Sequence, residues 1–154
     1  IMPLRCEIIT QERKLYDDEV DIVIAPGIQG EMGILPSHSP LIAALDFGEL
    51  RVRKAGIQES FAIGGGVLEV ANDRVIVLAD SAERAEEIDV ARADEARRRA
   101  ERLMAEGPPE DPAAYAALEA AIRRANLRLK VARSRVRRGT GPQAMEFEPG
   151  RSTE

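Results

Sequence analysis

Tryptophan is absent from this chain of 154 residues, and only five positions are phenylalanine or tyrosine. A surface that binds nucleic acid by stacking bases on aromatic rings has too little to build with. The one cysteine, Cys6, cannot form an internal disulfide, which suits a reducing compartment. Its neighbours read as a strand, so Cys6 reads as packing. The one histidine, His38, has no second histidine or cysteine near it in the chain. No Gly-x-Ser-x-Gly segment occurs either, so neither a metal centre nor a nucleophile site can be assembled from the sequence. No apolar run approaches the ~20 residues of a membrane span, and the opening residues do not read as a secretory signal or transit peptide. With 44% hydrophobic and 32% charged residues, the chain is expected to be soluble and globular, with long exposed helices in one domain or two small ones.

The charge is unevenly placed. Net charge is −5, yet residues 1–88 carry 16 acids against 8 bases, and residues 112–138 carry 8 bases against one acid, Glu119. A basic segment set beside an acidic one points to an acidic partner or an anionic ligand.

From residue 4 to about residue 79 the chain reads as β. Leu4 to Thr10 alternates, and Val20 to Ala25 is β-branched and stops at Pro26-Gly27. Gly27, Gly30 and Gly33 followed by Pro36 and Pro40 predict loops and tight corners. Leu41 to Leu45 is a short apolar run. The segments 48–54 and 59–63 flank Ala55-Gly56, a hairpin signature. Gly64-Gly65-Gly66 lacks the lysine of a phosphate-binding loop and reads as a bend or bulge. Val67 to Val70 and Arg74 to Ala79 follow, separated by an Asn72-Asp73 turn. Short strands at this spacing argue for an antiparallel β-sandwich or barrel.

From Asp89 onward the chain reads as α. Asp89 is a strong N-cap, and Ile88 with Ala93 occupies the positions of a hydrophobic staple. On that reading Ile88-Asp89-x-x-Arg92-Ala93 is simply a well-made helix start. Gly107-Pro108-Pro109 stops the first helix, and Asp111-Pro112 starts a second. Leu118, Ile122, Ala125, Leu129, Ala132 and Val136 form a seam at spacings of four and three, so the helices are expected to pack side by side. The alanines bury little area each, so the hairpin should detach easily from whatever it rests on. Gly139 to Pro142 is expected to end the helix. The expected organisation is a sandwich over 1–87, a helix–loop–helix over 88–138, and a disordered tail over 139–154.

Three segments carry a resemblance to a known family. They are Gly30-Glu31-Met32-Gly33-Ile34-Leu35-Pro36-Ser37-His38-Ser39-Pro40-Leu41, then Ala62-Ile63-Gly64-Gly65-Gly66-Val67-Leu68-Glu69-Val70, then Val77-Leu78-Ala79-Asp80-Ser81-Ala82-Glu83 running into Ile88-Asp89-x-x-Arg92-Ala93. In that order they resemble the epsilon subunit of F-type ATP synthases, over most of residues 3–130. The resemblance implies an α+β fold, with a ten-stranded β-sandwich followed by an antiparallel helical hairpin. It implies a non-catalytic rotor subunit bound to the gamma subunit and the ring of c subunits, which reaches the alpha/beta catalytic head through its C-terminal helices. It implies a peripheral protein on the cytoplasmic face of a bacterial cell membrane, associated with it indirectly, that inhibits ATP hydrolysis. The loop matching Gly30, Glu31 and Met32 would approach the c ring, although Glu31 also reads as an ordinary solvated turn carboxylate. No cofactor is implied, but ATP is, as a regulatory ligand. Its motif matches Ile88, Asp89, Arg92 and Ala93, accompanied by Glu83, Arg99, Arg124 and Arg128. Arg92 and Arg99 share one helix face and Arg124 and Arg128 another, so a folded hairpin could converge four guanidiniums on a triphosphate.

Two other classes of function stand against this. A nucleic-acid-binding protein could use the basic second helix, but the acidic whole, the few aromatics and the apolar seam oppose it. An enzyme on a β-sandwich would need chemistry that one histidine and one cysteine do not supply.

Overall fold

The computed structural model describes residues 3–134. The order of elements is β1 (Leu4–Ile9), β2 (Lys14–Val20), β3 (Ile22–Gly27), β4 (Gly30–Ile34), β5 (Leu41–Lys54), β6 (Ile57–Ala71), β7 (Arg74–Ala79), β8 (Ala82–Arg84), a 3-10 turn (Ala85–Glu87), α1 (Val90–Glu106) and α2 (Pro112–Arg133). The strands lie in the order β2-β1-β7-β6-β5-β3-β4, with β8 also paired to β6. Alternation turns one face inward: Leu4, Cys6 and Ile8 of β1, Val75 and Val77 of β7, and Phe61, Ile63, Leu68 and Val70 of β6 are all buried. The sheet folds back on itself around this core. Tyr16 of β2 meets Phe61 of β6 edge-on, with ring centroids 5.6 Å apart, although β1 and β7 lie between those strands in the sheet.

Eight strands form where about ten were expected. The runs 41–45 and 48–54 merge into the single strand β5, and 59–63 and 67–70 merge into β6, each long enough to pass from one layer to the other. The β-branched run near residue 20 divides at Asp21 into β2 and β3. The glycine-rich stretch holds a strand as well as loops, because β4 pairs with β3 across the Ile28-Gln29 turn. One pairing departs from the antiparallel expectation: β1 and β7 run parallel. The hairpin turns at Ala55-Gly56 and Asn72-Asp73 both place two successive residues at positive φ, which suits two-residue turns between right-twisting strands.

The triple glycine marks the corner where β6 changes partner. Residues 61–63 pair with β8 and residues 66–71 with β7. Between them Gly64 N–H donates to Ser81 O at 2.9 Å, and Asp80 N–H donates to Gly65 O at 3.0 Å. Gly65 and Gly66 have φ of 92° and 137°, in the region that favours glycine.

Burial pushes the Cys6 thiol up to about 12, so it stays a protonated, packed group. Glu7 is also buried, and it is held by charge. Arg74 donates to both carboxylate oxygens at 2.8 and 2.9 Å, and Lys14 Nζ approaches at 3.3 Å. The Arg74 hydrogen bonds hold its carboxyl below the usual range. Glu87 is lowered in the same way by Arg13. A carboxyl with a depressed folded pKa adds stability above its unfolded pKa of about 4.3, and loses it as pH falls through the folded value. Thermal stability is therefore expected to be nearly flat from about pH 6 to 8 and to fall below about pH 4. Glu7→Gln should flatten part of that acid limb, which melting curves across pH would read. An unchanged acid limb would remove Glu7 from the account.

Both helices begin as expected. Asp89 caps α1 by accepting from Arg92 N–H at 3.0 Å, and Asp111 caps α2 by accepting from Ala114 N–H at 3.2 Å, with Pro112 following. The described helix α2 ends sooner than expected, at Arg133, where Ser134 turns back to Val131 O. Val136, the predicted stop at 139–142 and the tail at 139–154 lie outside the described residues.

Candidate functional site

The site expected from sequence lies where the hairpin meets the sandwich. Helix α2 rests on β5, β6 and the 3-10 turn, and α1 packs on α2. An apolar cluster joins the two parts: Ala62 of β6, Ala85 of the turn, Ile88 just before α1, and Val131 and Ala132 of α2, with Leu127 at its edge. Three of the five buried members are alanine. A fully buried Leu or Phe contributes about 1.5–3 kcal/mol and an alanine methyl a fraction of that, so this contact is far weaker than the sandwich core. Arg123 adds to it from the exposed rim, with its guanidinium 5.8 Å above the Phe47 ring and 3.8 Å from Asp46 Oδ1.

Within this frame, two side-chain hydrogen bonds join members of the expected ATP set among the described residues. One is the Asp89 cap on Arg92. The other links the sandwich to α2: Arg128 Nη2 donates to Glu83 Oε2 at 3.0 Å. Arg128 Nε lies 2.9 Å from Glu83 Oε1, so the guanidinium faces the carboxylate at two points. Ile88 and Ala93 are buried, Ile88 in the joining cluster, so both act through packing. Arg99 is exposed and pairs with Glu95 at 3.2 Å, a turn away on the same helix. Arg92 and Arg124 are exposed and have no ion pair among the described residues.

Helix geometry relates the four arginines. Ala93 and Ala100 are the buried residues of α1, and Ala125 and Ala132 lie in line on α2. At about 100° per residue, Arg92 and Arg99 stand one step back from Ala93 and Ala100, and Arg124 stands one step back from Ala125. Arg128 falls on the same flank, four residues on from Arg124. In an antiparallel pair an equal backward rotation on both helices leads to the same side. All four cations therefore line one flank of the hairpin, and Arg128 shows that this flank faces Glu83.

On the opposite flank, Val90, Asp94, Arg97, Leu129 and Ala132 line a groove of about 660 Å³. Asp94 accepts from Arg97 there, at 2.6 Å.

Gly30, Glu31 and Met32, expected to approach a c ring, form the start of β4. With Gly27–Gln29 and Leu41–Ala44 they border a groove of about 380 Å³. Glu31 is not a lone solvated carboxylate, since Arg51 Nη2 donates to it at 2.6 Å. Met32 is half-buried against the core. His38 Nδ1 lies 2.7 Å from Ser39 O, a local loop contact. No cluster of histidine, cysteine and carboxylates able to hold a metal occurs among the described residues, and no described helix is long and apolar enough to cross a membrane.

Several participants were not read from the sequence. Leu127 and Val131 form a second apolar line on α2, four apart, which the stronger seam at 118–132 masked. An exposed apolar surface was missed too. Ala44, Val67, Leu78 and Ile9 are neighbours across β5, β6, β7 and β1, and Ile42 (74% exposed) and Ile28 (62%) extend that stripe. Exposed apolar residues gathered this way mark a partner's surface more often than chance scatter does.

Comparison with known proteins agrees with the sequence resemblance. The ATP synthase, Delta/Epsilon chain, beta-sandwich domain matches residues 3–85, and the ATP synthase, Delta/Epsilon chain, long alpha-helix domain matches residues 86–133. The ATP synthase epsilon chain of Dehalococcoides mccartyi is 55% identical over 133 residues, covering 86% of this chain and 94% of that one. The epsilon chain of Herpetosiphon aurantiacus is 48% identical over 134 residues, covering 87% and 97%. Among solved structures, a chain of the Euglena gracilis mitochondrial ATP synthase aligns with a TM-score of 0.71 at 25% identity, covering 84% of this chain and 81% of that chain. The chain therefore belongs to the epsilon-chain family of ATP synthases, of bacterial type, and is a non-catalytic subunit of the central stalk.

Proposed function

We propose that this subunit couples the c ring to the catalytic head as part of the rotor, and that its hairpin is an ATP-responsive brake on hydrolysis. Residues 1–87 form the coupling domain and 88–138 the regulatory domain. The exposed apolar stripe through Ile42, Val67 and Leu78 is the face that the gamma subunit covers. The groove at Gly30–Met32, with Glu31 steadied by Arg51, is the edge that meets the polar loops of the c ring. The protein then sits peripherally at the cytoplasmic face of the membrane, held there through its partners. No cofactor is needed for any of this.

The observation that carries the regulatory reading is the set of four arginines on one flank of a weakly docked hairpin. Arg92 and Arg124 have open donors, and Arg128 is held on the same flank by its ion pair with Glu83. A triphosphate supplies the missing acceptors, and charge-assisted contacts of this kind contribute about 1.5–3 kcal/mol each. Only the folded hairpin presents cations of both helices together, so ATP favours the folded form by its differential affinity. Released, the basic α2 is free to reach acidic surface on the alpha/beta head and slow hydrolysis.

Titrating ATP into the isolated subunit, followed by amide NMR shifts, tests this. Saturable shifts at Asp89, Arg92 and Arg128 are expected at or below millimolar ATP. Their absence would leave Ile88-Asp89-x-x-Arg92-Ala93 as a helix cap and nothing more. In the assembled complex, a chain ending at Glu87 should still bind gamma and should raise hydrolysis at low ATP. Unchanged hydrolysis would remove the brake.

A further inference from the structure

The connector between sandwich and hairpin is held by more than its neighbours in the chain. Arg13, at the β1–β2 turn, donates from both terminal nitrogens to the Glu87 carboxylate, at 3.0 and 2.5 Å. Such a fork fixes orientation as well as distance. Arg84 stands over two adjoining aromatic rings, 6.0 Å from the Tyr16 centroid and 5.7 Å from that of Phe61. Its Nη2 donates to Leu15 O. Glu59 stands 3.6 Å from its Nη1. Ala85, between these two, is fully buried. The charged and aromatic contacts are with β2, the β1–β2 turn or β6, so they belong to the sandwich; Ala85 alone packs in the cluster shared with α2.

The hairpin is attached differently. Its apolar contact comes from Leu127, Val131 and Ala132, and its charged contacts from Arg123 and Arg128, all on α2. α1 is carried by α2 through their shared seam. Separating α2 from the sandwich thus breaks none of the bonds of Arg13, Arg84 or Glu87. Ile88 and Asp89 are the two residues left between the anchored turn and α1, and both are already extended, with ψ of 122° and 100°.

We propose that Arg13, Arg84 and Glu87 form a latch that keeps residues 84–87 on the sandwich when the hairpin leaves it, confining the pivot of both helices to Ile88–Asp89. The proposal rests on the reading that the hairpin detaches. A two-residue pivot makes the released helices swing from a fixed point beside β2, rather than trail on a loosened strand β8. It also leaves Glu83 in place to receive Arg128 when the hairpin returns.

Spin-label distances in the full chain test both parts. One pair joins Glu69→Cys on the sandwich to Glu86→Cys on the turn, and the other joins Glu69→Cys to Leu103→Cys on α1. Cys6 is buried and protonated, so it does not take the label. Val131→Asp places a charge in the joining cluster, and Arg128→Glu, as a milder second variant, sets two carboxylates against each other. In either variant the 69–103 distribution should lose its single peak while the 69–86 distribution stays narrow. Adding Arg13→Gln should then broaden 69–86 as well. If 69–86 broadens along with 69–103 before Arg13 is changed, or stays narrow after it, the latch is overturned. If 69–103 stays narrow in both variants, the hairpin does not detach, and the reading beneath the latch falls with it.

Discussion

Arg128→Ala is expected to weaken ATP binding by about tenfold or more and to shift the free subunit toward the undocked hairpin, whereas Arg124→Ala weakens binding by a similar factor without undocking it. The difference follows from their partners. Arg124 is exposed and makes no ion pair among the described residues, so its loss removes a phosphate donor and nothing else. Arg128 is bound to Glu83 of β8, and only 23% of its side chain is exposed. Removing it leaves a carboxylate facing the hairpin with no counter-ion. The apparent affinity then falls twice, once for the lost donor and once for the reduced fraction of docked protein. Isothermal titration reads the affinity, and the amide shifts of Ala62 and Ala132 read docking in the absence of ATP. Equal docking in the two variants would reduce Arg128 to a donor like Arg124. Unchanged affinity in both would take the second helix out of the site. Neither change touches the sandwich core, so the melting of the sandwich should stay close to that of wild type.

Much of this arrangement was legible in the sequence, and what was not has a physical reason. Caps and turns are local, so Asp89, Asp111, Ala55-Gly56 and Asn72-Asp73 each appear where expected. The joining of 41–45 to 48–54 could not be read, because Asp46-Phe47-Gly48 looks like a break in apolar patterning. In the structure these residues continue β5 through the corner opposite Gly64. The parallel pairing of β1 with β7 was hidden because pairing between distant strands leaves no local mark. The alanines of the seam were visible, but two helices that lean on a third surface carry two apolar lines, and periodicity reports the stronger one. At the site, the residue types were readable and their roles were not. Glu83 and Arg128 are 45 residues apart, and nothing in either neighbourhood says that one holds the other. The latch residues Arg13, Arg84 and Glu87 read as ordinary surface charge until the fold brings β1, β2 and the 3-10 turn together.

The largest effect on stability is expected at Gly66, and the contrast with Gly64 shows why. A Cβ on Gly66 would lie 2.2 Å from Leu78 O and 2.8 Å from Ala79 Cα. Both are backbone atoms of the strand paired with β6, so neither can turn aside. The φ of 137° adds strain for any residue with a side chain. A Cβ on Gly64 would lie closer still to its nearest neighbour, 2.1 Å, but that neighbour is Ser81 Oγ, which can rotate away, and φ there is not positive. Gly66→Ala is therefore expected to cost about 3 kcal/mol or more, and Gly64→Ala nearer 1 kcal/mol. For a sandwich of this size each kcal/mol lowers the melting temperature by about 4–8 °C, so Gly66→Ala should lower it by roughly 12 °C or more. Circular dichroism melts of the two variants side by side give the answer. The consequence reaches the site. Relief of the clash pushes β7 away from β6, and β8 follows β7 after only Asp80 and Ser81. Glu83 would then lose its fixed distance to α2, and Gly66→Ala should weaken hairpin docking while Gly64→Ala leaves it near wild type. If both glycines tolerate alanine equally, the corner is not held by close backbone approach, and the placement of Glu83 must depend on the latch at Arg84 instead.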